Sequence, residues 1–134
     1  MAYIAPLPAA PAVINREVFE VLSLVDLTAS AHRLLNLFLA RFDPEFGTVN
    51  LSQRDMGKLL ALSHPSVNNA VGALERTKLA WPIDDALYQL HPVFTGGKMA
   101  DRLAVVPEIV VSDPESLREA RRQRYSRQTE SLPA

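Results

Sequence analysis

The chain has 134 residues, a net charge of −1, 48% hydrophobic and 22% charged side chains, and no cysteine. That length suits one domain with appendages, and the missing cysteine excludes disulfides and zinc–thiolate sites. No apolar run reaches the roughly 20 residues needed to span a bilayer, and the start, MAYIAPLPAAPAV, lacks the basic region of a secretory signal. A cytoplasmic protein is expected.

Residues 1–12 are rich in Ala and Pro and read as a flexible or polyproline-like arm. The arm carries no cation, which argues against insertion into a nucleic-acid minor groove. Residues 15–26, NREVFEVLSLVD, mix β-branched and aromatic side chains and read as a strand, paired within the domain or across a dimer; a helix start is the competing reading. Thr28 or Ser30 then caps a helix reaching about Phe42, whose Leu34, Leu35, Phe38, Leu39 and Phe42 form a broad apolar stripe. His32 and Arg33 near its start read as a solvated face. Residues 43–47, DPEFG, break the helix, and residues 48–50 lead out as a very short strand.

Residues 51–80, LSQRDMGKLLALSHPSVNNAVGALERTKLA, organise the rest. Ser52 is an N-cap, with Asp55 three residues on, where a carboxylate meets exposed N–H groups and the positive end of the dipole. Met56, Leu59 and Leu60 recur at helical spacing, and residues 61–63 make a turn. Ser63 caps a second helix with Pro65 just inside its start, where a missing N–H does no harm. Val67, Val71 and Leu74 share one face, Ala70 keeps the helix–helix contact close, and Asn68, Asn69, Glu75 and Arg76 fall elsewhere. Two short helices so arranged are what a helix-turn-helix needs to lay its second helix in a DNA major groove.

Residues 79–83 and 87–92 then read as two short strands around an acidic turn, Asp84-Asp85-Ala86, which together describe a wing. Trp81, Ile83, Leu87 and Leu90 are expected to face or flank the core, and Tyr88 to pack rather than stack on bases. Past Gly96-Gly97 the pattern weakens. Residues 98–106 suit one or two helical turns, and residues 105–106 and 109–111 a strand or a dimer contact. Ser112 or Asp113 opens a last helix, PESLREARRQRYSRQTE, with five arginines between Arg118 and Arg127 and no long packed face.

Residues 51–97 resemble the winged-helix domain of the MarR-type regulators and of the RepL-like plasmid replication and maintenance proteins. The match is carried by the apolar helix at 30–42, the helix-turn-helix, and a hairpin closing on YQLHPVFTGG. That closing piece resembles the Tyr-x-x-Asn-Pro ending of RepL-like proteins, with His91 where Asn is usual. The resemblance covers about half of the chain and implies DNA binding through the second helix. It leaves repression and replication undecided. The wing tip departs from the usual basic pattern, since Asp84 and Asp85 would repel phosphates.

The fold expected is mostly α with a small β-hairpin wing, a winged helix-turn-helix plus a C-terminal helix. Its divisions are an arm at 1–12, the DNA-binding domain at 13–97 and an extension at 98–134. Residues early in a recognition helix reach base edges, while those near the turn grip phosphates. Ser63, His64 and Ser66 are assigned to the N-terminal end and Asn68 and Asn69 to the exposed face, because Asn pairs with adenine through two hydrogen bonds. His64 serves equally as a structural part of the turn. Ser52, Gln53 and Arg54 are placed on backbone phosphates, and Arg76 and Lys78 on the flanking backbone or in solvent. Arg118, Arg121 and Arg122 are the expected source of phosphate affinity.

No Gly-rich phosphate loop, carboxylate pair or metal-ligand cluster is present, so neither an enzyme nor a cofactor is expected. The resulting expectation is a homodimer bound to specific double-stranded DNA, in transcription regulation first and plasmid replication or maintenance second. The alternative is a winged helix serving as a protein–protein interaction module. Eleven arginines against three lysines, with frequent alanine, suggest a GC-rich bacterial source.

Overall fold

The computed structural model describes residues 2–6, 15–96 and 103–112, with positions 115, 119, 122 and 123. Helices α1 (Arg16–Leu24), α2 (Ala29–Arg41), α3 (Gln53–Leu60) and α4 (His64–Thr77) pack with strands β1 (Thr48–Asn50), β2 (Ala80–Asp84) and β3 (Leu87–Leu90), and a 3-10 turn follows at Pro92–Thr95. The sheet is antiparallel, in the order β1-β3-β2. This is a winged helix: a three-helix unit of α2, α3 and α4, with a β-hairpin after its last helix.

Of residues 15–26, where a strand was the first expectation and a helix the competing one, Arg16–Leu24 are helical. Asn15 caps α1 by accepting from the Glu17 N–H at 3.0 Å. Val18, Val21 and Val25 are buried at a spacing of three and four residues while Phe19 is 57% exposed. A period near 3.6 and a side-chain cap outweigh the β-branched content, which is a weak local preference. The other starts follow the capping signals: Thr28 accepts from Ala31 N–H, Ser52 from Asp55 N–H and Ser63 from Ser66 N–H.

The core joins Leu34, Leu35 and Phe38 of α2 to Met56 of α3, to Val67, Ala70, Val71 and Leu74 of α4, and to Leu79, Tyr88 and Leu90 of the wing. Tyr88 packs its ring against Phe38 at a 5.3 Å centroid distance. Ile83 does not join them. The β2–β3 register shifts between Pro82 and Asp84, placing Ile83 in an irregularity where it is 49% exposed. Pro82 lacks the N–H a central strand would need, and it lies on an edge strand.

Gln89 is buried and carries three hydrogen bonds from its side-chain nitrogen, to the carbonyls of Phe46, Gly47 and Leu90. It ties the wing to the turn that follows α2, where Asp43 accepts from the Glu45 and Phe46 N–H groups.

Residues 107–112 are neither helix nor strand. They run as a strap across the domain, with Val110 N–H donating to Thr77 O and Ser112 N–H to Leu24 O. The Ser112 hydroxyl also donates to Leu24 O, at 2.7 Å, so this serine helps to secure the strap. Ile109 and Val111 pack against the core from the same segment. The helical turns read at 98–106 lie partly outside the described residues, and positions 103–106 are not helical. Of the expected arginine-rich helix, only positions 115, 119, 122 and 123 are described, and they are helical.

Candidate nucleic-acid interface

The two helices of the candidate interface meet at a turn that backbone geometry dictates. Ala61 ends α3 in the left-handed region at φ 53°, with its N–H on Gly57 O, and Leu62 N–H donates to the same carbonyl. A Cβ on Gly57 would lie 3.0 Å from the Leu62 carbonyl oxygen and 3.6 Å from Val67. A side chain at 57 would therefore crowd the backbone of the turn, and the sequence pattern does not single out this glycine. The only local signal is a glycine in mid-helix, at a position that costs helix stability.

Arg33 is exposed, as expected of a solvated face, and it also makes a contact the sequence does not announce. Its guanidinium donates to Leu60 O at 2.7 Å, meeting one of the carbonyls left without an intrahelical partner at the end of α3. Arg33 thereby couples α2 to the turn.

On α4 the buried residues Val67, Ala70, Val71, Ala73 and Leu74 leave a stripe facing outward. Pro65, Asn68, Asn69 and Arg76 are exposed along it, with Gly72 between them partly so. These positions recur every three or four residues, which puts them on one face. Neither amide of the asparagine pair has a hydrogen-bond partner among the described residues. Both are open to a ligand's donors and acceptors. His64 is exposed at the first position of α4, next to the cap.

Ser63 and Ser66 are less free than their side chains suggest. The Ser63 hydroxyl accepts from Ser66 N–H at 3.3 Å and donates to the Ser66 hydroxyl at 2.9 Å. Ser52 is likewise engaged as the cap of α3, at 3.1 Å from Asp55 N–H. Next to it, Gln53 is half-buried and Arg54 exposed. Arg76 lies close to the Gly72 backbone, its guanidinium 3.2 Å from where a Cβ would be. Lys78 is exposed and ends α4 in the left-handed region at φ 66°. Arg122 is exposed, while Arg118 and Arg121 lie outside the described residues.

The charge of this face differs from that of the chain. Residues 51–80 carry Arg54, Lys58, Arg76 and Lys78 against Asp55 and Glu75, an excess of two cations, whereas the whole chain is at −1. The wing tip opposes this. Asp84 and Asp85 are both exposed, with the Asp84 carboxylate accepting from the Asp85 N–H at 2.7 Å. Among the described residues no cluster of His, Asp and Glu could hold a metal ion, and no helix is long and apolar enough to cross a membrane.

These elements define a winged helix-turn-helix protein. No family model matches the chain, and neither does any curated protein. Among solved structures, a crystal structure of the S. aureus MepR-DNA complex matches with a TM-score of 0.44 and 20% identity, over 86% of this chain and 83% of that chain. The class assignment rests on the chain's own helices, caps and hairpin.

Proposed function

We propose that this protein binds specific sequences in double-stranded DNA through α4, as a homodimer that regulates transcription. The observation that carries the reading is the outward stripe of α4, where two asparagine amides without a partner among the described residues share a face with Arg76. An Asn side chain offers one donor and one acceptor in the spacing of the adenine N6/N7 edge, so the pair suits direct readout in a major groove. Arg54, exposed at the start of α3, supplies in this reading the cation for a backbone phosphate beside that groove. One recognition helix covers about one half-site, and two copies are the usual route to tight specific binding. A role in plasmid replication or maintenance uses the same contacts and differs only in where the site lies.

Selection of bound duplexes from fragmented DNA of the source replicon, at two salt concentrations, tests this. The expected result is one enriched site made of two half-sites, whose position beside a promoter or an origin assigns the role. Asn68→Ala or Asn69→Ala should then weaken binding by about 1–3 kcal/mol and relax the preference at one base pair. No enrichment at low salt overturns the reading.

A second reading is favoured by the wing, whose tip is acidic and whose Ile83 is 49% exposed. A surface of this kind suits a protein partner better than phosphates. Charge reversal by Arg54→Glu separates the two, abolishing DNA binding while leaving a partner on the wing untouched.

A further inference from the structure

A groove of about 870 Å³ runs between α1, α2 and the Pro92–Thr95 turn. Its walls include Phe19, Leu22, Leu39 and Phe94, with the amides of Asn15 and Asn36 among them. Phe19 stands at its edge with 57% of its surface exposed. It is continuous with the apolar recess, and contiguous exposed apolar surface, unlike a lone exposed side chain, marks interaction sites.

The groove takes no residue from α3, α4, β2 or β3. It is thus separate from every side chain assigned above to DNA within the helix-turn-helix and wing. We propose that this groove is filled by a second copy of the same chain, in a two-fold pairing that brings the two Phe19 side chains together at the axis. The inference deepens the DNA-binding reading by placing the contact that joins its two copies.

Three features favour a second copy over another occupant. A projecting Phe19 and an adjacent recess on one face supply both the knob and the hole that an isologous interface needs. Asn36 is exposed and carries both a donor and an acceptor, so it can pair with its own counterpart across the axis. The flanks are mixed in sign, with Arg16 and Glu17 beside Asn15 on α1 and Arg41 and Asp43 at the end of α2, all exposed. A two-fold pairing places residues of one flank against those of the other, where such a mix provides opposite charges. A strongly acidic or basic partner would meet repulsion from half of them.

The test uses the full chain without DNA. Sedimentation equilibrium is expected to show a dimer for the wild type. Phe19→Glu and Ala40→Glu, both at exposed positions, should keep the helical circular-dichroism signal and raise the dimer Kd by about tenfold or more. Because the chain has no cysteine, Phe19→Cys should give a disulfide-linked dimer under mild oxidation, while Asp85→Cys on the wing should not.

A monomeric wild type overturns the proposal. If its Phe19→Glu variant also melts lower, the groove belongs to the chain's own residues 7–14, the apolar segment LPAAPAVI that leads to Asn15. A dimer unchanged by both glutamate variants overturns it too, and leaves the DNA reading standing on another interface. Dimer loss in these variants with no duplex selected by the wild type would uphold the interface and sink the DNA reading.

Discussion

His91, at the end of the sheet, caps the Pro92–Thr95 turn with one ring nitrogen and meets the strap with the other. Nδ1 accepts from Val93 N–H at 3.0 Å and Nε2 lies 2.7 Å from Pro107 O. A backbone N–H can only donate and a carbonyl can only accept, so the ring is neutral with its proton on Nε2. Burial lowers its pKa below the ordinary 6.5, partly offset by the bond to Pro107. The unfolded chain takes up the second ring proton near 6.5 and the folded chain only at lower pH. The stability due to the neutral ring is therefore present above that value and is lost as pH falls through the folded pKa. Asn15 shows what an asparagine would do at this site, since it accepts from an N–H two residues on in the same way, also at 3.0 Å. His91→Asn should keep the cap and lose the Pro107 bond, costing about 0.5–1.5 kcal/mol at neutral pH. Urea unfolding from pH 7.5 down to 5 should show the gap between wild type and variant narrowing. A constant gap would remove His91 from the pH response. The bond to the N–H two residues on is a local contact of the kind short polar side chains make, but the bond to a carbonyl sixteen residues away has no local signal.

At the scale of elements, the residues that end or begin a helix are the most legible. Thr28, Ser52 and Ser63 act within three residues of themselves, and such local rules survive without knowledge of the fold. Helix α1 is harder to read because Val18, Val21, Phe19 and Val25 suit a strand by type and a helix by spacing, and spacing decides once a core is present. For α4, the division into a buried face and an open stripe follows from its period. The bond between Ser63 and Ser66 and the return of Arg76 toward Gly72 depend on rotamers that no pattern encodes.

The glycines of α3 and α4 show how packing sets the sign of one chemical change. At Gly72 a Cβ meets only the far end of Arg76, at 3.2 Å, and that flexible side chain can move. Gly72→Ala should stabilise by up to about 1 kcal/mol through helix propensity. At Gly57 the same Cβ meets a backbone oxygen at 3.0 Å, in a turn already held by two N–H groups on Gly57 O. Gly57→Ala should therefore destabilise by about 1–3 kcal/mol, the overpacking penalty exceeding the propensity gain. Chemical denaturation of the two variants measures both. Equal shifts of the same sign would mean that α3 and α4 can separate without cost.

Over the whole molecule, the chain returns after the wing to close the domain it has built. Residues 107–112 touch the end of α1 through Leu24, the end of α4 through Thr77 and the end of the sheet through His91. These partners are distant in sequence, and the bonds from Val110 N–H to Thr77 O and from Ser112 N–H to Leu24 O run from backbone to backbone, so those two leave no mark in the residue pattern. Two truncations separate its role from that of the arginines beyond it. Deleting residues 114–134 leaves every strap bond in place, so thermal stability should hold. If Arg118, Arg121 and Arg122 grip phosphates, the same deletion lowers affinity for all duplexes and reduces the slope of log K against log salt by about 0.9 for each phosphate they neutralise. Deleting residues 103–134 also removes Ile109 and Val111 from the core and frees His91, Thr77 and Leu24. It should cost a further 2–4 kcal/mol or so, from two partly buried aliphatic side chains and the broken hydrogen bonds. Thermal melts and salt titrations of the two truncations give the answer together. An unchanged salt slope in the shorter deletion would assign the arginines to a protein contact or to solvent, and an unchanged melt in the longer one would make the strap dispensable to the fold.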